Sequence, residues 1–263
     1  MLKKLLKYDL KDVYKVLIVF YCLSLFFATL SRICLSIENS FVINTIGQIC
    51  SGTTIAMIFN IIINNLMRLW VRFRQNFYGD ESYLTHTLPI DKKTLYLSKT
   101  LTAIISLFIS TIIICLSLFI VYYSKENIEA IKALLLPLAT IYESTVVSVI
   151  LSFVLILFLE IMNMLQSGYF GVILGHKRNN NKIGFSILYG FLIYLLTQIL
   201  VIVILFITAI FNKDLMNLFY TSEALNMGVI KLCIYIAIIA YSLNVLILYF
   251  INLKQFKKGV NID

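Results

Sequence analysis

Six long apolar runs constrain the fold of this chain more than any other feature. Each run has about 20 or more mostly apolar residues, the length that an α-helix needs to cross a bilayer. A helix can span lipid because it satisfies its own backbone hydrogen bonds. The predicted spans are Val16–Leu35, Ile43–Leu66, Leu101–Tyr123, Ser144–Val172, Gly184–Ile210 and Gly228–Asn252. The sequence therefore predicts an all-α membrane protein with six transmembrane helices in a single transmembrane domain, residues 1–263.

The composition and the distribution of charge agree with this prediction. The 263 residues are 60% hydrophobic and 13% charged, whereas soluble domains are about 25% charged. Of the 22 basic residues, 17 fall before span one, between spans two and three, between spans four and five, or after span six. Basic residues favour the cytoplasmic side, so we expect a multi-pass cell-membrane protein with both termini cytoplasmic. The net charge of +9 then reflects topology and contact with membrane lipids, and no nucleic acid is expected as a partner.

Two segments flank the spans as predicted interfacial helices. In residues 1–15, lysines recur every fourth position and leucines take the other face, which favours an amphipathic helix in the membrane interface. Residues Ile128–Tyr142 precede span four and contain Pro137. A helix running without a break from residue 133 to 175 would be about 65 Å long. We therefore expect Ile128–Tyr142 to be an interfacial piece, and a re-entrant pair of helices is the alternative.

Polar and small residues inside the spans are candidates for packing or for a transport path. Gly47 and Ser51 have the spacing that lets two helices approach closely, and Gln48 lies between them. Glu160 falls deep in span four, where a carboxylate must be neutral, paired or in contact with water. It is followed by Asn163 and Ser167 on the same side of the helix. This stripe predicts either part of a translocation path or subunit contact, or a protonated glutamate bonded to Asn163 or to a neighbouring span.

The sequence shows no constellation of residues for covalent chemistry. It has no GxxxxGK[ST] phosphate loop, no HExxH and no GxSxG. The cysteines number five and form no CxxC pair, so neither a disulfide framework nor a metal site is predicted. The two histidines, His86 and His176, fall in predicted loops and are expected to be solvated. We therefore expect no catalytic residue, no metal and no cofactor bound by this chain.

The segment of residues 76–100, "NFYGDESYLTHTLPIDKKTLYLSKT", is polar although it lies between two spans. Its first part predicts a short helix with Tyr83, Leu84, Thr87 and Leu88 on one face. Leu88–Pro89 ends that helix, because a residue before proline avoids the helical region. Asp91 is a favourable N-cap for a second helix that continues into span three. A short helix with an exposed apolar face at the membrane surface predicts a groove in another protein.

The segment "YGDESYLTHTLPIDKKTLYLSK" resembles the loop between the second and third spans of the type-2 ABC transporter permeases. The resemblance extends to the basic entry helix, the six spans and the short polar loop after "YFGVILG". It implies an all-α permease, the membrane subunit of an ABC exporter, that pairs with a second permease, either the same chain or a paralogue. It also implies a separate ABC ATPase subunit that binds ATP and Mg²⁺. The small permeases of peptide export, antibiotic or antimicrobial peptide resistance, and bacteriocin immunity are the most similar class.

The same resemblance implies roles for residues of the polar segment. Glu81 to Pro89 would be the coupling helix that inserts in the ATPase, with Glu81, Tyr83, Leu84, Thr87 and Leu88 as docking residues. Asp91, with the two lysines that follow it, would begin the helix that transmits motion into span three. The alternative function, from another class, is a stand-alone ion- or proton-coupled secondary transporter built around Glu160.

Overall fold

The structure is a computed structural model that describes residues 1–37, 40–141, 145–212, 215–216 and 227–259. The described residues are almost entirely helical and contain no strand. In chain order the helices are α1 (Leu2–Leu35), α2 (Phe41–Tyr78), α3 (Ser82–Thr87), α4 (Lys92–Tyr122), α5 (Lys125–Ile141), α6 (Val146–Gly175), α7 (Lys182–Phe211) and α8 (Met227–Lys257). Six of them, all except α3 and α5, are long and apolar enough to cross a membrane. The prediction of an all-α multi-pass membrane protein is therefore confirmed.

The chain divides into two compact units, Met1–Ile128 and Glu129–Asp263. In the first unit, α1 packs against both α2 and α4, and α2 also contacts α3 and α4. In the second unit, α6 packs against α7 and α8, and α7 contacts α8. Leu138 of α5 forms a small apolar cluster with Val149 of α6 and Ile230 of α8. Each unit therefore has its own buried interior.

Three helices of the first unit continue well beyond their apolar runs at one end. The predicted interfacial helix of residues 1–15 is the first part of α1, which runs on into span one without a break. α2 extends to Tyr78, 12 residues past the predicted end of span two, or about 18 Å. α4 begins at Lys92, before its apolar run. We call residues 1–15, 67–78 and 92–100, together with α3, the polar end of this unit.

The helices around span four have the predicted break between them. α5 contains Pro137 and ends at Ile141, and α6 begins after Thr145, whose hydroxyl accepts a hydrogen bond from the Ser148 amide. The proposed start of span four at Ser144 and the end of the interfacial piece at Tyr142 lie outside the described residues. The location of α5 at the membrane surface remains a prediction.

Close backbone contact joins α6 to α7. A Cβ atom added at Gly171 would lie 2.6 Å from the Gly190 nitrogen and would also overlap the Ser186 carbonyl oxygen. A Cβ atom at Gly175 would lie 2.6 Å from the Ser186 Cα atom. These contacts require glycine because any side chain would push the two helices apart.

One expectation about the histidines is wrong. His176 is 1% exposed and its Nδ1 atom lies 2.9 Å from the Val172 carbonyl oxygen. It follows the last residue of α6 and packs beside Ser186, so the adjacent α7 shields it from solvent. His86 is half-buried within α3.

Candidate functional site

The candidate docking surface is the exposed face of α3. Tyr83 is 61% exposed, Leu84 74% and Leu88 44%, and Thr87 and Pro89 are exposed beside them. Leu88 has an extended backbone with ψ of 137°, as expected for a residue that precedes proline. The structure thus places Tyr83, Leu84, Thr87 and Leu88 together on one solvent-accessible face.

The opposite side of α3 is fixed to the end of α2. Ser82 is fully buried, and the His86 Nε2 atom lies 3.2 Å from the Phe77 carbonyl oxygen. Phe77 packs edge-to-face against Phe73 with ring centroids 5.0 Å apart, and Phe73 packs in the same way on Tyr96 of α4. Aromatic pairs of this kind stabilise a site by about 0.5–1.5 kcal/mol each beyond the area they bury. The short helix α3 therefore lies on a buried cluster of aromatic side chains, Phe73, Phe77 and Tyr96.

Glu81, the N-cap residue of α3, is held by a first chain of polar contacts that we call the first arm. The Asp12 carboxylate of α1 pairs with Arg72 of α2, with Oδ2 2.9 Å from Nε. The same guanidinium reaches Glu81, with its Nη1 atom 3.1 Å from Oε1. Arg68 approaches Asp12 more loosely at 3.8 Å. The first arm thus connects α1, α2 and α3 through Asp12, Arg72 and Glu81.

A second arm reaches the same glutamate from α4. Lys99 donates to Asp9 Oδ1 at 2.6 Å and also to the Asn76 side-chain oxygen. Asn76 in turn donates through Nδ2 to Glu81 Oε2. The Lys99 and Asp9 side chains are only 12% and 11% exposed, and the Lys99 ammonium lies 5.8 Å from the Phe77 ring centroid. A buried lysine in this position needs its partners, because an unpaired charge away from water is costly.

Asp91 occupies the predicted N-cap position of α4, but its side chain accepts no hydrogen bond from the first turn of the helix. The backbone carbonyl of Asp91 instead accepts the Leu95 amide. The carboxylate is exposed and remains available to solvent. The position of the helix start was predicted correctly, whereas the side-chain cap was not found.

Hydrogen bonds between buried side chains join α1, α2 and α4 within the apolar part of the first unit. Ser110 lies 2.7 Å from the Tyr21 hydroxyl and accepts from Asn65 Nδ2 at 2.7 Å. Ser24 donates to Ser117 at 2.9 Å. These small polar side chains are in helix contacts, so they serve packing between α1, α2 and α4.

Gly47, Ser51 and Gln48 have different surroundings in α2. Gly47 packs against α1, since a Cβ atom there would lie 2.8 Å from Leu35 Cγ, and its carbonyl accepts from Ser31 at 3.0 Å. Ser51 bonds to the Gln48 carbonyl within its own helix. The Gln48 side chain is exposed on the surface of the unit. Gly47 therefore takes part in the contact between α1 and α2.

In the second unit, Glu160 of α6 accepts hydrogen bonds from α7. The Tyr194 hydroxyl lies 2.6 Å and Gln198 Nε2 2.8 Å from the same oxygen, Oε1. Gln198 also accepts from Tyr241 of α8 at 3.0 Å. Within the part of the chain that the structure describes, no lysine or arginine forms an ion pair with Glu160. A glutamate with these neighbours connects three helices through neutral donors.

The polar stripe predicted after Glu160 does not converge on it. Asn163 donates to Thr197 of α7 at 2.9 Å, and Ser167 donates to the Asn163 carbonyl at 2.9 Å within α6. Both side chains are buried. Of the two alternative partners predicted for Glu160, Asn163 forms no bond with it among the described contacts, whereas the neighbouring helix α7 donates to it and also supplies the partner of Asn163.

Sequence reasoning missed the residues that fix α3 from below, above all Asp9, Asp12, Arg72 and Lys99. A signal for two of them was present, since Asp9 and Asp12 are the only acids in the basic first 15 residues and lie three positions apart. That spacing puts them on one side of a helix. Their partners are separated by about 60 to 90 residues in sequence, and no local pattern identifies such pairs.

Among the described residues no group of histidine, cysteine and acidic side chains could hold a metal ion. Comparison with known proteins adds no assignment: no protein-family model matches the sequence, and neither a curated protein nor a solved structure matches it at a significant level.

Proposed function

We propose that this chain is the membrane permease subunit of an ATP-driven ABC exporter, with α3 as the element that docks a separate ATPase. The observation that carries the proposal is the exposed apolar face of α3, including Leu84 at 74% exposure, on a helix whose other side is fixed. An apolar helix face of this kind fits a hydrophobic groove in a partner protein. The resemblance of residues 78–99 to the permease loop supports the ATPase subunit as that partner.

In this proposal, one protein binds ATP and a second protein, this chain, crosses the membrane. The chain has no phosphate loop, so ATP and Mg²⁺ would bind to the ATPase subunit and this chain would perform no covalent chemistry. The α3 helix and both termini would face the cytoplasm of a cell membrane. A second permease, a further copy or a paralogue, would complete the exporter. Substrates would be of the class carried by similar small permeases, such as a peptide, an antibiotic or a lipid.

A second candidate function is a secondary transporter that uses Glu160 as its ion- or proton-binding group. The observation that favours it is the carboxylate itself, which lies in a candidate membrane span with Oε2 buried and without a donor among the described residues. Intramembrane carboxylates of this kind are often part of a transport path. Transport by such a protein would need no ATPase and would fail in Glu160→Gln.

The experiment that tests the first proposal is a purification in mild detergent from the native membrane, comparing wild type with Leu84→Asp/Leu88→Asp. Full burial of each leucine would contribute about 1.5–3 kcal/mol to docking. Loss of both should therefore weaken the complex by roughly 100-fold or more. The matched control is Asn179→Asp/Asn180→Asp, which adds the same two charges at exposed positions of the α6–α7 loop.

The result expected is a partner with a phosphate loop that hydrolyses ATP, recovered with wild type and the control and lost with the leucine variant. Recovery of that ATPase with all three proteins would show that α3 is not the docking element. Its absence from wild type would contradict the exporter proposal and favour the function built on Glu160.

A further inference from the structure

The position of α3 depends on contacts from other helices. A helix of six residues is too short to be stable by itself, because nucleation of a helix is unfavourable and few bonds follow it. Its N-cap residue Glu81 is the point at which both polar arms meet. The orientation of the exposed apolar face must therefore depend on how firmly Glu81 is held.

Each of the two arms begins on a carboxylate of α1. Asp12 occupies the Nε side of the Arg72 guanidinium and leaves Nη1 directed at Glu81. Arginine has a long side chain with many rotamers, so a second anion that restrains it makes its bond to Glu81 more persistent. Asp12 thus acts on α3 through Arg72.

In the second arm, Asp9 likewise restrains a basic residue, Lys99, whose side chain is more buried than that of Arg72. Asp9 accepts from Lys99 at 2.6 Å and from Ser98 at 3.4 Å. Lys99 then presents its remaining donor to the Asn76 oxygen, which fixes the side-chain amide of Asn76 with its nitrogen toward Glu81. An Asn side chain held at its oxygen can donate only in the opposite direction.

We propose that Asp9 and Asp12 are positioning residues for α3, so that the start of α1 controls the orientation of the docking face. The inference rests on the proposed function for the meaning of that face, but the contacts themselves exist without a partner. The lysines at positions 3, 7, 11 and 15 are exposed on α1, whereas its two acids are turned inward to α2 and α4. The N-terminal segment would thus be part of the coupling apparatus and not only a membrane anchor.

The test is hydrogen–deuterium exchange of the purified full-length chain in detergent, read on peptides that cover residues 79–91. Asp12→Asn should speed exchange in this region about three- to fivefold, the effect of a partly exposed ion pair. Asp12→Glu, which keeps the carboxylate, should restore exchange close to wild type. Asp80→Asn is the matched control, because Asp80 is exposed and adjacent to Glu81 but belongs to neither arm.

Coupling through Arg72 is tested by combining Asp12→Asn with Glu81→Gln. If Asp12 acts on α3 only through Glu81, the double variant should exchange no faster than Glu81→Gln alone. The more buried Asp9 is examined second, as Asp9→Asn, and should affect the same peptides while α3 remains the fastest-responding region. Asp12→Asn tests the inference even if the Asp9 variant fails to fold.

Unchanged exchange of residues 79–91 in Asp12→Asn would overturn the inference, whatever the effect of Glu81→Gln. Additive effects of the two substitutions would also overturn it, since Asp12 would then act by another route. Neither outcome depends on an ATPase, so failure here is distinct from failure of the proposed function. Absence of an ATPase from the wild-type purification, together with faster exchange in Asp12→Asn, would contradict only the function.

Discussion

The contact between α6 and α7 gives a prediction with a magnitude that follows from the structure. In Gly171→Ala, the new methyl group would lie 2.6 Å from the Gly190 nitrogen, whereas ordinary contacts of a Cβ atom begin at 3.4 Å. The two helices must therefore separate by at least about 0.8 Å at this level, since the Gly190 nitrogen and the still closer Ser186 oxygen both belong to backbone. Separation of this size is more than a close-packed interface absorbs by side-chain adjustment.

Displacement of α7 from α6 would also affect a hydrogen bond between these two helices. The bond from Asn163 to Thr197 is 2.9 Å long and would exceed the usual limit of 3.2 Å if α7 moved by the full amount. Overpacking of an interior commonly costs about 1–3 kcal/mol, and an interhelical hydrogen bond in a membrane contributes about 0.6 kcal/mol. We expect Gly171→Ala to lower the free energy of unfolding by about 2–4 kcal/mol in sum.

The assay is thermal unfolding in detergent, monitored by loss of monomeric protein, with two alanine controls. In Gly190→Ala the added methyl group would meet the Ser167 oxygen at 3.4 Å and the Gly168 Cα atom at 3.6 Å. Gly52→Ala has no atom within 4 Å. A midpoint for Gly171→Ala that equals those of both controls would refute the argument from close backbone contact.

Three further predictions concern the buried polar groups. Asp9→Asn should lower the thermal midpoint by roughly 5 °C or more because it leaves the Lys99 ammonium unpaired, whereas Asp9→Leu combined with Lys99→Met should recover most of that loss. Ser110→Ala should destabilise the protein by about 1 kcal/mol in the same unfolding assay, since Asn65 loses its acceptor between helices. Glu160→Gln should keep export activity in a vesicle transport assay, because the new amide oxygen can accept the two bonds made to Oε1. Loss of activity in this variant would favour the secondary transporter.

Features of the fold that depend on residues close together in the sequence could be predicted from the sequence. The six spans follow from runs of apolar residues, and their number agrees with the structure. The stop at Leu88–Pro89 follows from the steric effect of one proline, and α3 ends at Thr87. The extension of α2 from Leu66 to Tyr78 was not predicted, because hydropathy defines only the part of a helix that lies in lipid.

The exposed apolar face of α3 was predicted from the sequence, whereas the two polar arms that hold its buried side were not. The apolar face of α3 is readable because Leu84 and Leu88 stand in an otherwise polar segment. The two arms join Asp9 to Lys99 and Asp12 to Arg72, which are pairs distant in sequence. A single sequence contains no information on which of several lysines or arginines meets a given acid, so these pairs required the packed structure.

The contacts of α4 bear on how motion of α3 would be transmitted. A movement of span three against spans one and two would have to break the bonds of Ser110 to Tyr21 and to Asn65. At the polar end it would also separate Lys99 from Asp9. Breaking several buried polar contacts together is unfavourable because each leaves a donor or acceptor without water. We therefore expect α1, α2 and α4 to move as one body when α3 is displaced, with the two arms carrying the displacement into all three helices.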